Sequence, residues 1–228
     1  MSIQRALVIG AGSGVGLATA DALRAAGAKV VASGSERDAT DPEQVAALFA
    51  EADPDLVVVA AGTRPTMASV RQQTWESFSA PWNVDVKIAF EVGRTALSRP
   101  LRPGSTVLIV SSGAALSGSP LSGGYAGAKR TQMFLAAYLQ REAEAGELGI
   151  RFVALAPTQL LAGTAIGEAA AAAYGGAIGE SAGAYMQRRF PKPVNAAGVA
   201  EAIVSIASSE TQSDATLLTV DARGIEAI

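Results

Sequence analysis

Tyr125 and Lys129 stand four positions apart, and Ser112 precedes the tyrosine by thirteen. On a helix, residues four apart share a face, so the Lys129 ammonium can lie beside the Tyr125 phenol. A neighbouring positive charge favours the phenolate form, which equips a phenol to exchange a proton with a substrate oxygen at working pH. The plain alternative is a half-buried tyrosine beside a solvated lysine.

The rest of the composition sharpens this reading by exclusion. The chain has no histidine, which removes the commonest general base and metal ligand and excludes a Ser-His-Asp hydrolase. It has no cysteine, so neither disulfides nor thiolate metal sites can form, and no metal site is expected. Acid–base chemistry must therefore use Tyr, Lys, Asp or Glu. The formal net charge of -3 and the absence of a Lys/Arg stripe argue against a nucleic-acid partner.

A second motif lies near the start. A short apolar run, Ala6 to Ile9, leads into Gly10-Ala11-Gly12-Ser13-Gly14-Val15-Gly16 and then an Ala- and Leu-rich stretch. Glycines allow a sharp turn and a close approach by phosphate, and a helix start offers N–H donors and a positive dipole. The usual G-x-G-x-x-G dinucleotide pattern fails from Gly10, because its sixth place is Val15; the spacing Gly10-x-x-x-Gly14-x-Gly16 fits. A tight strand-to-helix turn without ligand is the alternative.

The elements that must position these residues alternate along all 228 positions. Strands are expected at Ala6–Ile9, Lys29–Ala32, Leu56–Val59, Thr106–Val110, Ile150–Leu155 and Leu217–Val220. Helices are expected at Val15–Ala26, Pro42–Ala52, Val84–Leu97, Ala126–Glu144 and Ala196–Ser208. Strands without polar alternation, interleaved with helices, imply a parallel sheet covered on both faces. The expected fold is a doubly wound α/β domain, three layers thick, formed by the chain as a single unit.

Two helices carry apolar residues on two sides: Val84, Ile88 and Val92 against Val86, Phe90 and Leu97 on one; Met133, Phe134, Ala137 and Tyr138 against Leu135 and Leu139 on the other. One side can take the sheet, and the second suggests a subunit partner, hence a homodimer or homotetramer. Neighbouring helices covering that side are the alternative. The small-residue stretch from Thr164 into the 164–194 segment is a candidate lid, or else a poorly ordered surface helix. The opening Met1-Ser2-Ile3-Gln4-Arg5 and the short run after it are too brief for a signal-peptide core or a membrane span, so a cytoplasmic protein is expected.

Together, Ser112, Tyr125-x-x-x-Lys129 and the glycine spacing resemble the short-chain dehydrogenase/reductase family. The resemblance extends to Asp38-Ala39-Thr40-Asp41 (its Asp-Val-Thr-Asp element), Ala60-Ala61-Gly62 (its Asn-Ala-Gly turn), Ala156-Pro157 (its Pro-Gly turn) and Val220-Asp221 (its last strand). It implies a Rossmann-type fold, a bound NAD(P) and hydride exchange with a carbonyl or alcohol. By the same resemblance Ser112 holds the substrate oxygen, Lys129 also holds the nicotinamide ribose, and Thr164 offers a hydroxyl to the nicotinamide amide.

The sequence departs from that pattern in three places. Where the family has an asparagine in its proton relay, this chain has Asp85, which accepts hydrogen bonds but, ionised, donates none. Asn83 lies roughly 200° away on a straight helix and should not substitute. Ala32 runs through Ser33, Gly34, Ser35, Glu36 and Arg37 almost directly to Asp38, so a helix and part of a strand are missing and the adenosine side is shortened, with Asp38 its expected contact. Thr158 stands where the family has glycine after Pro157.

Cofactor choice turns on the end of the second strand. An acid there would favour the 2′-hydroxyl of NAD and a base the 2′-phosphate of NADP. Gly34 occupies the place, and Ser35 and Arg37 tilt the reading toward NADP, with NAD as the alternative. The expected substrate, facing Leu116, Leu121, Leu160 and the lid, is a neutral or hydrophobic carbonyl compound. The competing function is a dinucleotide-binding regulatory or scaffold protein that has lost turnover. An isomerase or dehydratase on this fold would need a longer substrate domain.

Overall fold

The first apolar run becomes strand β1 (Arg5–Ile9), which lies inside the sheet between β2 (Lys29–Ser33) and β3 (Leu56–Val59). The computed structural model describes residues 3–208 and 215–228, so Met1 and Ser2 of the expected opening lie outside the described residues. β4 (Thr106–Val110), β5 (Arg151–Pro157) and β6 (Leu217–Asp221) continue the sheet in parallel, in the order β2-β1-β3-β4-β5-β6-β7. β3 and β4 are buried at every position, as strands covered on both faces must be.

Helices form the two outer layers. On one face α1 (Gly14–Ala25) packs beside a C-terminal helix at Ala196–Ala207, where Leu23, Val199 and Ile203 meet Val8, Val58 and Val153. On the other, α2 (Pro42–Ala52) brings Val45 and Leu48 against Leu7, Val57 and Val59. Each such side chain, fully buried, stabilises the fold by about 1.5–3 kcal/mol. α2 begins as its sequence dictates: Pro42 opens the first turn, and the Asp41 carboxylate caps it by accepting from Glu43 N at 2.8 Å.

Two expectations need correction here. The helix foreseen over Val84–Leu97 starts earlier and is not α-helical throughout: α3 (Trp75–Pro81) passes into a π-helical turn at Trp82–Val86, which continues as α4 (Lys87–Ser98). The wider π-turn carries the buried Asp85, as π-turns often sit at functional positions. The sheet is also not wholly parallel. β7 (Gly224–Ala227) folds back antiparallel on β6 through a tight turn, in which the Asp221 carboxylate accepts from Arg223 N at 2.8 Å.

The remaining helices surround the C-terminal edge of the sheet. They are α5 (Ala114–Ser117), the long α6 (Gly123–Ala145), α7 (Ala165–Gly176) and α8 (Ala182–Arg189), with α9 the Ala196–Ala207 helix already described. The 164–194 segment therefore contains two regular helices. The expected shortening after β2 is present: among the described residues no strand pairs beyond β2, which is the sheet edge. Because the chain runs from β1 outward to β2 and then crosses to β3, a crevice opens at the C-terminal ends of β1 and β3, where doubly wound sheets bind ligands. Among the described residues no helix is long and apolar enough to cross a membrane.

Candidate active site

A cavity of about 1260 Å³ opens at that crevice. It exceeds a typical single small-ligand pocket of roughly 300–1,000 Å³ and has room for a dinucleotide with a second, smaller molecule. Gly10, Gly12, Ser13, Gly14 and Val15 line one end. Gly10 adopts φ +89, and a Cβ there would collide with the Ala61 backbone. A Cβ on Gly16 would collide with the Gly10 carbonyl oxygen, so Gly16 lets α1 start directly against the turn without itself lining the cavity. Ser13 precedes α1 but makes no side-chain cap, so the helix start at the cavity wall lacks a side-chain acceptor from its own N-cap. An uncapped helix start behind a glycine turn suits a pyrophosphate.

Ala60, Ala61 and Gly62 continue this wall at the end of β3. Ser35, Arg37 and Asp38 also line it, but their surroundings differ from what the sequence suggested. Arg37 reaches away to Glu51 at 2.6 Å. Glu36 folds back so that its carboxylate accepts from Gly34 N at 2.7 Å, and this bond holds the Glu36 carboxyl below its ordinary range. An acid therefore sits at the tip of β2 after all, two residues out of register with the position where one was sought. Asp38 accepts from the Thr40 hydroxyl at 2.8 Å and from Thr40 N at 2.9 Å, and its carboxyl is lowered by those bonds.

The residues expected to do acid–base chemistry share this cavity. β4 delivers Ser112, and α6 delivers Tyr125 and Lys129; all three line the cavity. Ser112 Oγ accepts from Ala114 N at 3.3 Å, which leaves its own O–H free to donate. Lys129 is almost wholly buried (5% exposed) and lies over the Tyr125 ring, 5.5 Å from its centroid. Its Nζ donates to Val110 O at 3.2 Å and sits 3.3 Å from Asp85 Oδ2.

Asp85 is completely buried and locked on three sides. Its Oδ1 accepts from Thr63 N at 2.7 Å, its backbone carbonyl accepts from Gln132 Nε2 at 2.9 Å, and its Oδ2 faces Lys129. A Cβ at Gly62 would come within 2.7 Å of that Oδ2, so only glycine lets the β3 loop approach this closely. Asn83, by contrast, is exposed and lines the cavity.

Pro157 and Thr158 close the far wall, where Gly113 N donates to Pro157 O at 2.7 Å. The Thr158 side chain is engaged with Asp221. Thr164 lies near Gly14 and lines the cavity, but its hydroxyl is occupied as the cap of α7, accepting from Gly167 N at 3.1 Å and donating to Leu161 O at 2.7 Å. A freely available amide-binding hydroxyl is therefore not what Thr164 presents.

The lining expected to face substrate was the least well foreseen. Leu160 lines the cavity, but Leu116 is exposed and Leu121 half-buried, and neither lines it. Ser119, Ser122, Gln159, Tyr174, Tyr185 and Arg189 stand there instead. No spacing rule singles them out, because they come from a loop, two helices and a turn that only the folded chain brings together.

The comparisons agree with this geometry. A family model described as enoyl-(acyl carrier protein) reductase matches residues 35–221. A crystal structure of a short-chain dehydrogenase from Mycobacterium avium superposes with TM-score 0.71 at 20% identity, covering 99% of this chain and 84% of that one. Sorbitol-6-phosphate 2-dehydrogenase from Erwinia amylovora gives 0.81 at 21% identity, covering 95% and 98%. Aldohexose dehydrogenase from Thermoplasma acidophilum, in ligand-free form, gives 0.79 at 20% identity, covering 96% and 92%. Among curated proteins none matches the chain. The family match spans most of the chain and the folds coincide: this chain belongs to the short-chain dehydrogenase/reductase family.

Proposed function

We propose that the chain is an NAD(P)-dependent oxidoreductase that moves hydride between a nicotinamide and a carbonyl or secondary alcohol, with Tyr125 as the acid/base. The observation that carries this reading is the shared cavity. The glycine turn with its uncapped helix start and the Ser112-Tyr125-Lys129 set open into one space of about 1260 Å³. The dinucleotide, when bound, supplies or accepts the hydride.

The chain's own residues do the rest. In the reducing direction Tyr125 gives its hydroxyl proton to the carbonyl oxygen, so that negative charge never accumulates there. Ser112 donates a hydrogen bond to the same oxygen and fixes the carbonyl carbon in place. Lys129 stabilises the phenolate left behind and is positioned to hold a ribose hydroxyl. Asp85 keeps the ammonium in place, since a buried cation without a partner would be strongly unfavourable.

The cofactor preference drawn from Ser35 and Arg37 loses its support once Arg37 is tied to Glu51 and Glu36 occupies the β2 tip. These contacts favour NAD. We further propose a second copy of the chain as partner. Phe90 of α4 and the stacked Phe134–Tyr138 pair of α6 are exposed, whereas Met133, expected beside them, is turned inward and buried. A monomer in sedimentation at micromolar concentration would contradict that partner.

The decisive experiment follows the nicotinamide absorbance band while NADH and NADPH are each offered with a panel of ketones. Tyr125→Phe should lower turnover by about 10²–10⁴-fold and leave dinucleotide binding unchanged. Full activity in that variant would end the reading. A second reading, a dinucleotide-binding protein without turnover, is favoured by Asp85, whose charge engages Lys129. Tight dinucleotide binding with no turnover across the panel would select it.

A further inference from the structure

The substrate end of the cavity is unevenly charged. Four cationic side chains line the cavity as a whole: Arg37, Arg64, Lys129 and Arg189. Arg37 is paired with Glu51 and Lys129 with Asp85. Arg64 and Arg189 have no carboxylate partner among the described residues, and the one carboxylate of the lining, Asp38, is bound to Thr40 at the adenosine end.

Arg189 is the better placed of the two. It ends α8 and stacks over the ring of Phe190, which also lines the cavity, 5.5 Å from guanidinium to centroid. Its neighbour Arg188 shows what a structural arginine in this helix does: it pairs with Glu180 at 2.9 Å and covers the Tyr185 ring. Arg189 makes no such pair and faces the cavity.

Hydroxyl and aromatic side chains share the cavity lining with it. Tyr185, four positions before Arg189, stacks on Tyr174 at 6.0 Å between centroids; the Tyr174 hydroxyl bonds the Ser119 hydroxyl, which bonds Ser122 at 2.6 Å. Ser122 stands three residues before Tyr125. Hydroxyls, aromatic rings and a guanidinium thus line the same cavity as Tyr125, where the sequence suggested an apolar pocket.

We infer that the substrate carries an anionic group, a carboxylate or a phosphate, which Arg189 binds while its carbonyl or alcohol carbon lies at Tyr125. This rests on the redox reading above and narrows its substrate class. A guanidinium offers planar paired donors that match either oxyanion, and a positively charged cleft with no competing carboxylate concentrates anions.

The test uses matched pairs that differ only in charge: a 3-oxo acid with its methyl ester, and fructose 6-phosphate with fructose, each in turnover and as a calorimetric ligand of the dinucleotide-saturated protein. The anionic member of at least one pair should be favoured by about tenfold or more in kcat/KM or affinity, and raised salt should shrink the gap. Which pair responds distinguishes carboxylate from phosphate. Arg189→Gln should reduce the preference to within about twofold, the larger loss falling on the anionic members. Equal treatment of both members in both pairs, or a preference abolished by Arg64→Gln and untouched by Arg189→Gln, overturns the inference. Turnover of neutral ketones would survive its failure; failure of the redox reading would instead leave anion binding without turnover.

Discussion

The two ends of the cavity are built from different materials. At the end proposed for the dinucleotide the backbone does the work: Gly10 and Gly16 permit two close approaches, and α1 starts without a side-chain cap. At the end proposed for the substrate side chains do it: Ser119 comes from a loop, Tyr174 from α7, and Tyr185 and Arg189 from α8, and they meet only in the folded chain. Backbone sites demand particular residues at fixed spacing, because a single Cβ destroys them. Side-chain sites tolerate exchange, which lets one scaffold serve many substrates.

The seam between the two ends should be the least tolerant place of all. Asp85 ties the β3 loop, through Thr63, to α6, through Lys129 and Gln132. Asp85→Ala leaves a buried ammonium without its counter-charge and should destabilise the fold by about 3–5 kcal/mol in denaturant unfolding. The double variant Asp85→Leu with Lys129→Met removes both charges and should recover a large part of that loss. If Asp85→Ala unfolds at the same denaturant concentration as the parent, the pair is not holding the seam. Asp85→Asn asks a finer question: a large fall in turnover would mean that the carboxylate does more than imitate the family's asparagine.

Gly16 tests the backbone-built end. Gly16→Ala places a methyl against the Gly10 carbonyl, so either the turn opens or α1 shifts. A cost of about 2–4 kcal/mol is expected, together with loss of dinucleotide binding in a fluorescence titration. Tyr185→Ala, at the other end, should leave both stability and dinucleotide affinity nearly unchanged and alter only substrate KM. Comparable damage from both would erase the distinction between the ends.

What the sequence disclosed follows the same division. Pro42–Ala52, Leu56–Val59 and Thr106–Val110 were legible to the residue because a Pro-opened helix with an Asp cap and unbroken apolar runs have strong local causes. Tyr125 and Lys129 were legible because helical spacing alone brings them together. The π-turn at Trp82–Val86 was not, since the Asp85 it carries is held from outside it, by the β3 loop and by α6. β7 was missed because a four-residue strand at the sheet edge has little apolar pattern of its own. Thr164 was read as a ligand because capping and binding use the same hydroxyl, and only the α7 start distinguishes them. Glu36 was passed over because it bends back two residues to reach the tip of β2.

That last displacement yields the smallest and most selective prediction. If the Glu36 carboxylate faces the adenosine ribose, its negative charge repels a 2′-phosphate and accepts from a 2′-hydroxyl. Glu36→Gln keeps the shape and removes the charge, so the ratio of kcat/KM for NADH over NADPH should fall by about tenfold, with stability scarcely altered at so exposed a site. The pH dependence has a definite sign. Gly34 N holds the folded-state carboxyl below its ordinary value of 4.5. The charge, and the discrimination it provides, is therefore complete above that value and disappears only as pH falls through the lower one. The parent should keep its preference down to the ordinary carboxylate range, and the Gln variant should show the same weak preference at every pH. A ratio that is equal in both proteins would place the ribose away from Glu36 and return the choice of dinucleotide to Ser35 and Arg37.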